Sequence, residues 1–433
     1  MKYARSTGFS VYFTPCLILS ALTLILFSCS DSSDRPWQAH AISIAAENAE
    51  EIVAVALVDL NRDGRPEVLA SRENSTVIYV YVSYHSAEDG LLWKQHRIPA
   101  VANIRQFYLW EAGTRDRPER LLVVTTGNPS RQVLYSSLPK PEMALEAGAW
   151  DFTEIPIPTG YWPAIYSGDF NNDGISDLAL AGRSINIEQA SAPTVIWMSD
   201  AHSAERSIVT IGASADPLLI VADDVEKDGD IDLLVVDAAP GSNSMGAYWL
   251  ENPWPENPEV EWKQNFITLS SLKPAGAAIV DFDGDQHLDL LICLQEKGAA
   301  NRLMCFKKVL AATEVAWLPL PLPVPGRQAS LKHPQIADLD QDGFNDLVLG
   351  YVSAPDPLEH LLWLRNPTPE AASPAWLRRT LSSGSQGTAT SGILLHDLDR
   401  DGDTDVISAD AGGALRWYEN TVPAVTVDLP SDD

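Results

Sequence analysis

At 433 residues the chain is long enough for two or three average domains, or for one large repeat array or barrel. Its apolar fraction of 45% is that of a globular protein, but 59 Asp and Glu against 30 Lys and Arg give a formal charge of −29. That charge argues against nucleic acid or an anionic membrane surface as the main partner, because phosphates would be repelled.

The chain opens with Lys2 and Arg5, and an apolar stretch from Val11 to Phe27 follows, shortened by Pro15. A basic start, a short apolar core and small residues before a cut site read as an export signal over residues 1–28 rather than a spanning helix. "LFSC", Leu26 to Cys29, resembles a bacterial lipobox, with Phe27 in place of the usual smaller residue. The resemblance implies lipidation of Cys29, and Ser30 after it implies a cell-envelope lipoprotein of the outer membrane. Residues 29–36, "CSDSSDRP", read as a polar tether.

A strand led by Trp37 comes next, then the segment "DLNRDGRPE", with acidic or amide side chains at positions 1, 3, 5 and 9: Asp59, Asn61, Asp63 and Glu67. The spacing recurs as "DFNNDGISD" (Asp169, Asn171, Asp173, Asp177), "DVEKDGDID" (Asp224, Glu226, Asp228, Asp232) and "DFDGDQHLD" (Asp281, Asp283, Asp285, Asp289). Two more copies follow, "DLDQDGFND" (Asp338, Asp340, Asp342, Asp346) and "DLDRDGDTD" (Asp397, Asp399, Asp401, Asp405). Successive starts are 110, 55, 57, 57 and 59 residues apart, so the first interval hides a copy. "EAGTRDRPE" from Glu111 fills it, with Pro118 and Glu119 aligned to Pro66 and Glu67.

Other columns keep the same phase. An aromatic-led segment lies upstream of most copies, at Trp37, Trp93, Trp150, Trp262, Trp317 and Trp376, and a second aromatic strand lies downstream, as in "YWLENP", "LWLRNP" and "RWYENT". Each unit reads as strand, acidic loop, buried strand such as "DLVLG", hairpin loop and aromatic strand, with no sustained helical period. About four strands in 50 to 60 residues point to propeller blades, which bury both faces only in a closed ring. The Trp37 strand precedes the first loop and the last unit ends at Trp417. The phase therefore predicts an all-β, seven-bladed β-propeller over residues 37–422 in which the Trp37 strand completes the last blade, leaving 423–433 as an acidic tail.

Carboxylates at positions 1, 3, 5 and 9, with a Gly at 6 able to take positive φ, curl a short loop so that its oxygens converge. Unbalanced, each carboxylate pair at 4 Å costs about 4 kcal/mol at an effective dielectric of 20, so a cation is expected. Hard oxygen ligands without His or Cys select Ca²⁺. An EF-hand is excluded, because position 12 is Ala70, Leu180, Val235, Ile292, Leu349 or Ser408 instead of Glu and the flanks are strands. Close to half of the chain's acids fall in these loops, so much of the −29 is ligand inventory.

The run "DxDxDGxxDL", an apolar strand and then "WYEN" resemble the FG-GAP and VCBS repeats of integrin-type seven-bladed propellers, across essentially the whole chain after the signal. The resemblance implies one Ca²⁺ per intact loop, held by the residues named above at positions 1, 3, 5 and 9 and by the position-7 carbonyl. The second loop departs from it, with Gly113 and Arg115 at the third and fifth positions. No ion is expected there, and Arg115 is expected to pair with Glu111 or Glu119. Gln286 replaces the Gly of the fifth loop, where a left-handed backbone costs about 1 kcal/mol, so a weaker site is expected.

Cys293 and Cys305 fall in a small-residue column and a Trp column, which suggests that they face each other; a bridge and two buried thiols are both open. The loops entering the innermost strands hold Arg105, Tyr161, Trp162, Lys273, Lys332 and His333, a rim able to stack on sugar rings and pair with uronates, or else to pack and offset acids. The favoured function is a calcium-binding, non-catalytic surface module that binds a glycan or a protein. The alternative is a propeller-type polysaccharide lyase or sugar dehydratase, for which only His333 beside Lys332 offers a general base near a cation. A monomer is expected.

Overall fold

The computed structural model describes residues 37–421 except 45–49, 87–89, 111–118, 127–131, 159, 184–190, 201–202, 239–245, 254–260, 270–272, 296–301, 312–313, 323–328, 354–358, 368–375, 384–389 and 411–412. The export signal, Cys29, the tether and the tail lie outside the described residues.

The described residues form seven four-stranded antiparallel sheets. After β1 (Trp37–Ser43), blade one holds β2 (Ile52–Val58), β3 (Glu67–Arg72), β4 (Val77–Ser86) and β5 (Gly90–Pro99). Blade two holds β6 (Ile104–Trp110), β7 (Arg120–Thr125), β8 (Val133–Ser137) and β9 (Thr153–Glu154). Blade three holds β10 (Tyr161–Gly168), β11 (Asp177–Arg183), β12 (Ala192–Asp200) and β13 (Ser203–Ser214). Blade four holds β14 (Pro217–Asp223), β15 (Asp232–Asp237), β16 (Gly246–Glu251) and β17 (Lys263–Leu269). Blade five holds β18 (Lys273–Val280), β19 (Asp289–Gln295), β20 (Arg302–Ala311) and β21 (Glu314–Leu322). Blade six holds β22 (Ala329–Ala337), β23 (Asp346–Ser353), β24 (Glu359–Arg365) and β25 (Leu377–Ser383). Blade seven holds β26 (Thr390–His396), β27 (Asp405–Asp410) and β28 (Leu415–Asn420), and β1 is its outermost strand.

The ring closes as the phase of the repeat predicts. β1 runs antiparallel to β28 with Trp37 opposite Asn420 and His40 opposite Trp417. First strands of neighbouring blades lie beside one another, β26 and β2 included, and they make the inner wall.

Second strands such as "DLLVVD" are buried along their whole length because a neighbouring blade covers each face. Their side chains feed an apolar cluster shared by every adjacent pair of blades, including blades six and seven and blades seven and one. Burial between blades is thus continuous around the ring, and among the described residues each blade packs against both of its neighbours.

The Asn that ends "WLEN" and "WYEN" ties blades together. Asn252 Nδ2 donates to the carbonyl of Phe170, in the acidic loop of the preceding blade, at 2.9 Å, and Asn420 Nδ2 does the same to Leu339 at 2.7 Å. In blade five Lys308 stands in this place, fully buried, and its Nζ reaches Asp223 of blade four at 2.7 Å. Asn420→Leu leaves the carbonyls of Leu339 and Thr404 without that donor. We expect a loss of about 2–3 kcal/mol, read as a lower midpoint of urea unfolding.

The two cysteines do not face each other. Cys293 lies opposite Leu303 and Cys305 opposite Leu291, a diagonal offset of two residues on the same buried face. Both thiols are free, and burial pushes each up to about 12. A thiol reagent is therefore expected to label neither in the folded chain and both after denaturation, with or without prior reductant.

Candidate functional site

Each described acidic loop joins the first strand of a blade to the second, and its own carboxylates shape it. The position-1 Asp accepts the N–H of position 6 on one oxygen and, on the other, that of position 5, or in loop seven that of position 4. For Asp338 these bonds are 3.0 Å from Asp342 and 2.8 Å from Gly343, and for Asp281 they are 3.0 Å from Asp285 and 2.8 Å from Gln286. The position-5 carboxylate accepts the N–H of position 7 in the same way.

This winding needs positive φ at two positions, 4 and 6. Arg62, Asn172, Lys227, Gln341 and Arg400 take it at position 4, each followed two residues later by a Gly that takes it as well. In the fifth loop the order is reversed, with Gly284 at position 4 and Gln286 at φ 67. That loop therefore keeps the shape of the others with its glycine moved two residues.

The position-9 carboxylates are buried and bonded to backbone on both sides. Asp346 Oδ2 accepts from Leu339 N and Trp363 Nε1, and its Oδ1 accepts from Asn366 N at 2.7 Å. Asp232, Asp289 and Asp405 repeat the pattern with Asn252, Lys308 and Asn420 as the third-strand donors. Position 9 thus locks the loop to both strands behind it.

In loops five, six and seven, one oxygen from each of three carboxylates lies within 4.8 Å of the others: Asp281, Asp283 and Asp285; Asp338, Asp340 and Asp346; Asp397, Asp399 and Asp405. Asp340 is buried, and its Oδ1 has no hydrogen-bond partner. Glu226 Oε2 of the fourth loop is in the same condition. Buried oxygens without donors, gathered within a few ångströms, fit a hard cation. Four of the position-9 acids are raised, first by burial and then by neighbouring carboxylates: Asp289 is pushed up to about 6, and Glu67, Asp346 and Asp405 to about 7.

Two features of the loops escape a reading by positions 1, 3, 5 and 9. Position 7 carries a carboxylate in loops four and seven, Asp230 and Asp403, each pushed up to about 7 by burial and by Asp228 or Asp401. Position 4 carries an amide or a cation in every intact loop but the fifth, and in four of them it reaches across to the next loop. Asn172 donates to Gly229 O at 3.5 Å, Gln341 to Gly402 O at 2.9 Å and Arg400 to Asp63 O at 3.1 Å, while Arg62 lies 3.8 Å from Glu119. These contacts form a belt along the loops of the ring, and the column of Arg, Asn, Lys and Gln was its sequence signal.

The second loop lies outside the described residues, with Glu111 and Arg115. Its flanks correct the alignment by one residue. In the intact blades the residue before the loop pairs with position 9, as Val58 does with Glu67, but Trp110 pairs with Arg120. Arg120, not Glu119, therefore holds the column of the buried carboxylates, with its guanidinium 4.6 Å from the Trp110 ring and 5.2 Å from that of Tyr135.

Residues 224–292, from the start of the fourth acidic loop into the second strand of blade five, match the FG-GAP-like repeat family. The chain thus carries an FG-GAP-like repeat within a seven-bladed propeller. Among curated proteins, none matches it. The FG-GAP-like unit thus coincides with one acidic loop, the rest of its blade, and the first strand, loop and second-strand start of the next.

The rim residues of the propeller do not gather at one point. Arg105 pairs with Glu73 at 2.6 Å, and Lys273 lies 3.8 Å from Asp216, which also holds Arg183 at 3.1 Å. Trp162 is 2% exposed and packs with Trp110 and Trp197 between blades two and three, beside the half-buried Tyr161. His333 is exposed at φ 48, where β22 bulges between Lys332 and Gln335. A hollow of about 340 Å³ opens instead between β6 and β10, with Leu109 and Tyr166 exposed and Trp110, Leu122, Ile165 and Leu178 behind them.

Proposed function

We propose that the chain is a calcium-stabilised, non-catalytic binding module, exported and held at the cell envelope by a lipid on Cys29, whose ligand is a glycan or a protein. The observation that carries the calcium part is the buried Asp340, with an unpartnered oxygen inside a group of three carboxylates. Asp338, Asp340, Asp342 and Asp346 would hold an ion there, and the equivalent residues would do so in the other intact loops. The ion's role is structural: it neutralises carboxylates that the fold has brought together, so its binding free energy is folding free energy.

A binding role fits the distribution of the rim residues. Arg105 and Lys273 are engaged with acids of the rim, and His333 sits apart from the hollow between blades two and three. That hollow includes Trp110, at the end of β6, and has a wall of Tyr, Leu and Ile suited to a ring or an apolar side chain.

The test has two parts. Metal analysis of the chain after dialysis against calcium is expected to find several ions per chain, and Asp340→Ala is expected to lose one. Retention on a panel of acidic and neutral polysaccharides and on envelope proteins, without release of unsaturated uronate, is the expected binding result. Turnover that disappears in His333→Ala would replace this reading with a lyase.

A further inference from the structure

Four third strands carry a geometrically equivalent pair of residues, because the second residue of each pair donates its N–H to the position-9 carboxylate of its own blade: Asn252, Lys308, Asn366 and Asn420. The first residue of each pair is therefore held at the same place beside its loop. It is Glu251 in blade four, Lys307 in blade five, Arg365 in blade six and Glu419 in blade seven.

The sign of this residue decides what meets the loop. Lys307 Nζ contacts Asp283 and lies 3.3 Å from Asp285. Arg365 Nε contacts Asp340, and its Nη2 lies 3.1 Å from Asp342. In blades four and seven this residue is an acid whose partner lies one strand outward: Lys263 of β17 holds Glu251 at 2.6 Å, and His40 of β1 lies 2.7 Å from Glu419. The position-7 column divides the blades in the same way, with Asp230 and Asp403 in loops four and seven but His287 and Phe344 in loops five and six. Two separate columns thus place the larger negative charge on loops four and seven.

Resting on the reading of the loops as calcium sites, we propose that Lys307 and Arg365 are tethered counter-ions that compete with calcium for loops five and six. Those two loops then take up the metal at higher concentration than loops four and seven. An ammonium or guanidinium on the same carboxylates must leave, or be repelled by, an entering divalent cation, so each lowers affinity without abolishing the site. Loops five and six are also joined directly, since Asn345 Nδ2 donates to Asp281 O at 2.7 Å. Blades five and six become a calcium-responsive sector flanked by loops four and seven, which hold their ions more firmly.

Calcium titration calorimetry and equilibrium dialysis of the purified full chain would test this, comparing it with Lys307→Gln, Arg365→Gln, the double variant and Lys307→Arg. The expected result is two classes of site in the parent chain. Each Gln variant tightens one weak site about tenfold, Lys307→Arg leaves it weak, and the double variant merges the classes. A single class of sites in the parent chain, or affinities unchanged in both Gln variants, would overturn the proposal while leaving the calcium reading intact. No calcium binding by the parent chain would overturn that reading itself.

Discussion

Chelation is expected to lower the melting temperature of the chain by about 10 °C or more at pH 8. An ion present at 100 times its dissociation constant adds about 2.7 kcal/mol, and several such ions act on one ring. The larger effect lies in the pH dependence. Without metal, Asp289 titrates near 6 and Glu67, Asp346 and Asp405 near 7, because burial and neighbouring carboxylates favour the protonated form. In the unfolded chain the same groups titrate near 4. The folded state therefore binds more protons than the unfolded state between about pH 4 and 7. The stability these groups contribute is fully present below about pH 4 and is lost as pH rises through 6 and 7. A metal-free chain should melt at a higher temperature at pH 5.5 than at pH 8.

Calcium reverses that slope, because it binds the deprotonated carboxylates and takes over the role of the protons. Melting curves at pH 5.5 and pH 8, each with calcium and with chelator, should therefore show a gap that is small at the lower pH and wide at the higher. Magnesium is expected to substitute poorly, since it wants fewer carboxylates and keeps more water. Equal gaps at the two pH values would mean that the loop acids are not the groups that the metal satisfies.

The features legible in the sequence were those that repeat in register with local geometry. An Asp at position 1 and a Gly at position 6 lie within one turn, so their pattern states the loop shape directly, and the phase of the Trp37 strand states how the ring closes. What escaped depends on partners in other blades. The Asn at the end of "WYEN" repeats as visibly as the Asp, but its partner, the carbonyl of Leu339, is 81 residues away and belongs to the preceding blade. The position-4 donors were hidden for the same reason, since Arg400 reaches Asp63 only because the chain closes on itself. Arg120 and the cysteine pair show a different limit. Both rest on strand register, which a one-residue or two-residue offset changes without altering the hydrophobic pattern enough to be seen.

Removing residues 37–43 is expected to have the most severe effect of any short deletion, because those residues close the circle. β1 covers the edge of β28, and its loss exposes a row of unpaired backbone groups on a strand that also carries the Trp417 and Tyr418 core positions. It also removes Trp37, which packs edge-on to Trp363 of blade six at 5.7 Å, and His40, which stacks on Trp417 at 4.5 Å. Blade seven would then depend on what its inner strands keep against blade six and on its contact with blade one. The contact with blade one is tight: a methyl group on Gly392 would come within 2.6 Å of Val55, so β26 and β2 have no room to slide and compensate. Trp37→Ala alone is expected to cost about 3–5 kcal/mol, as for other buried aromatics. The full deletion should yield a chain that aggregates, or that opens at blade seven first, with backbone amides of β26 to β28 exchanging faster than those of blades two to five. Uniform exchange across all seven blades in the deleted chain would show that the strand contributes no more to closure than any other edge.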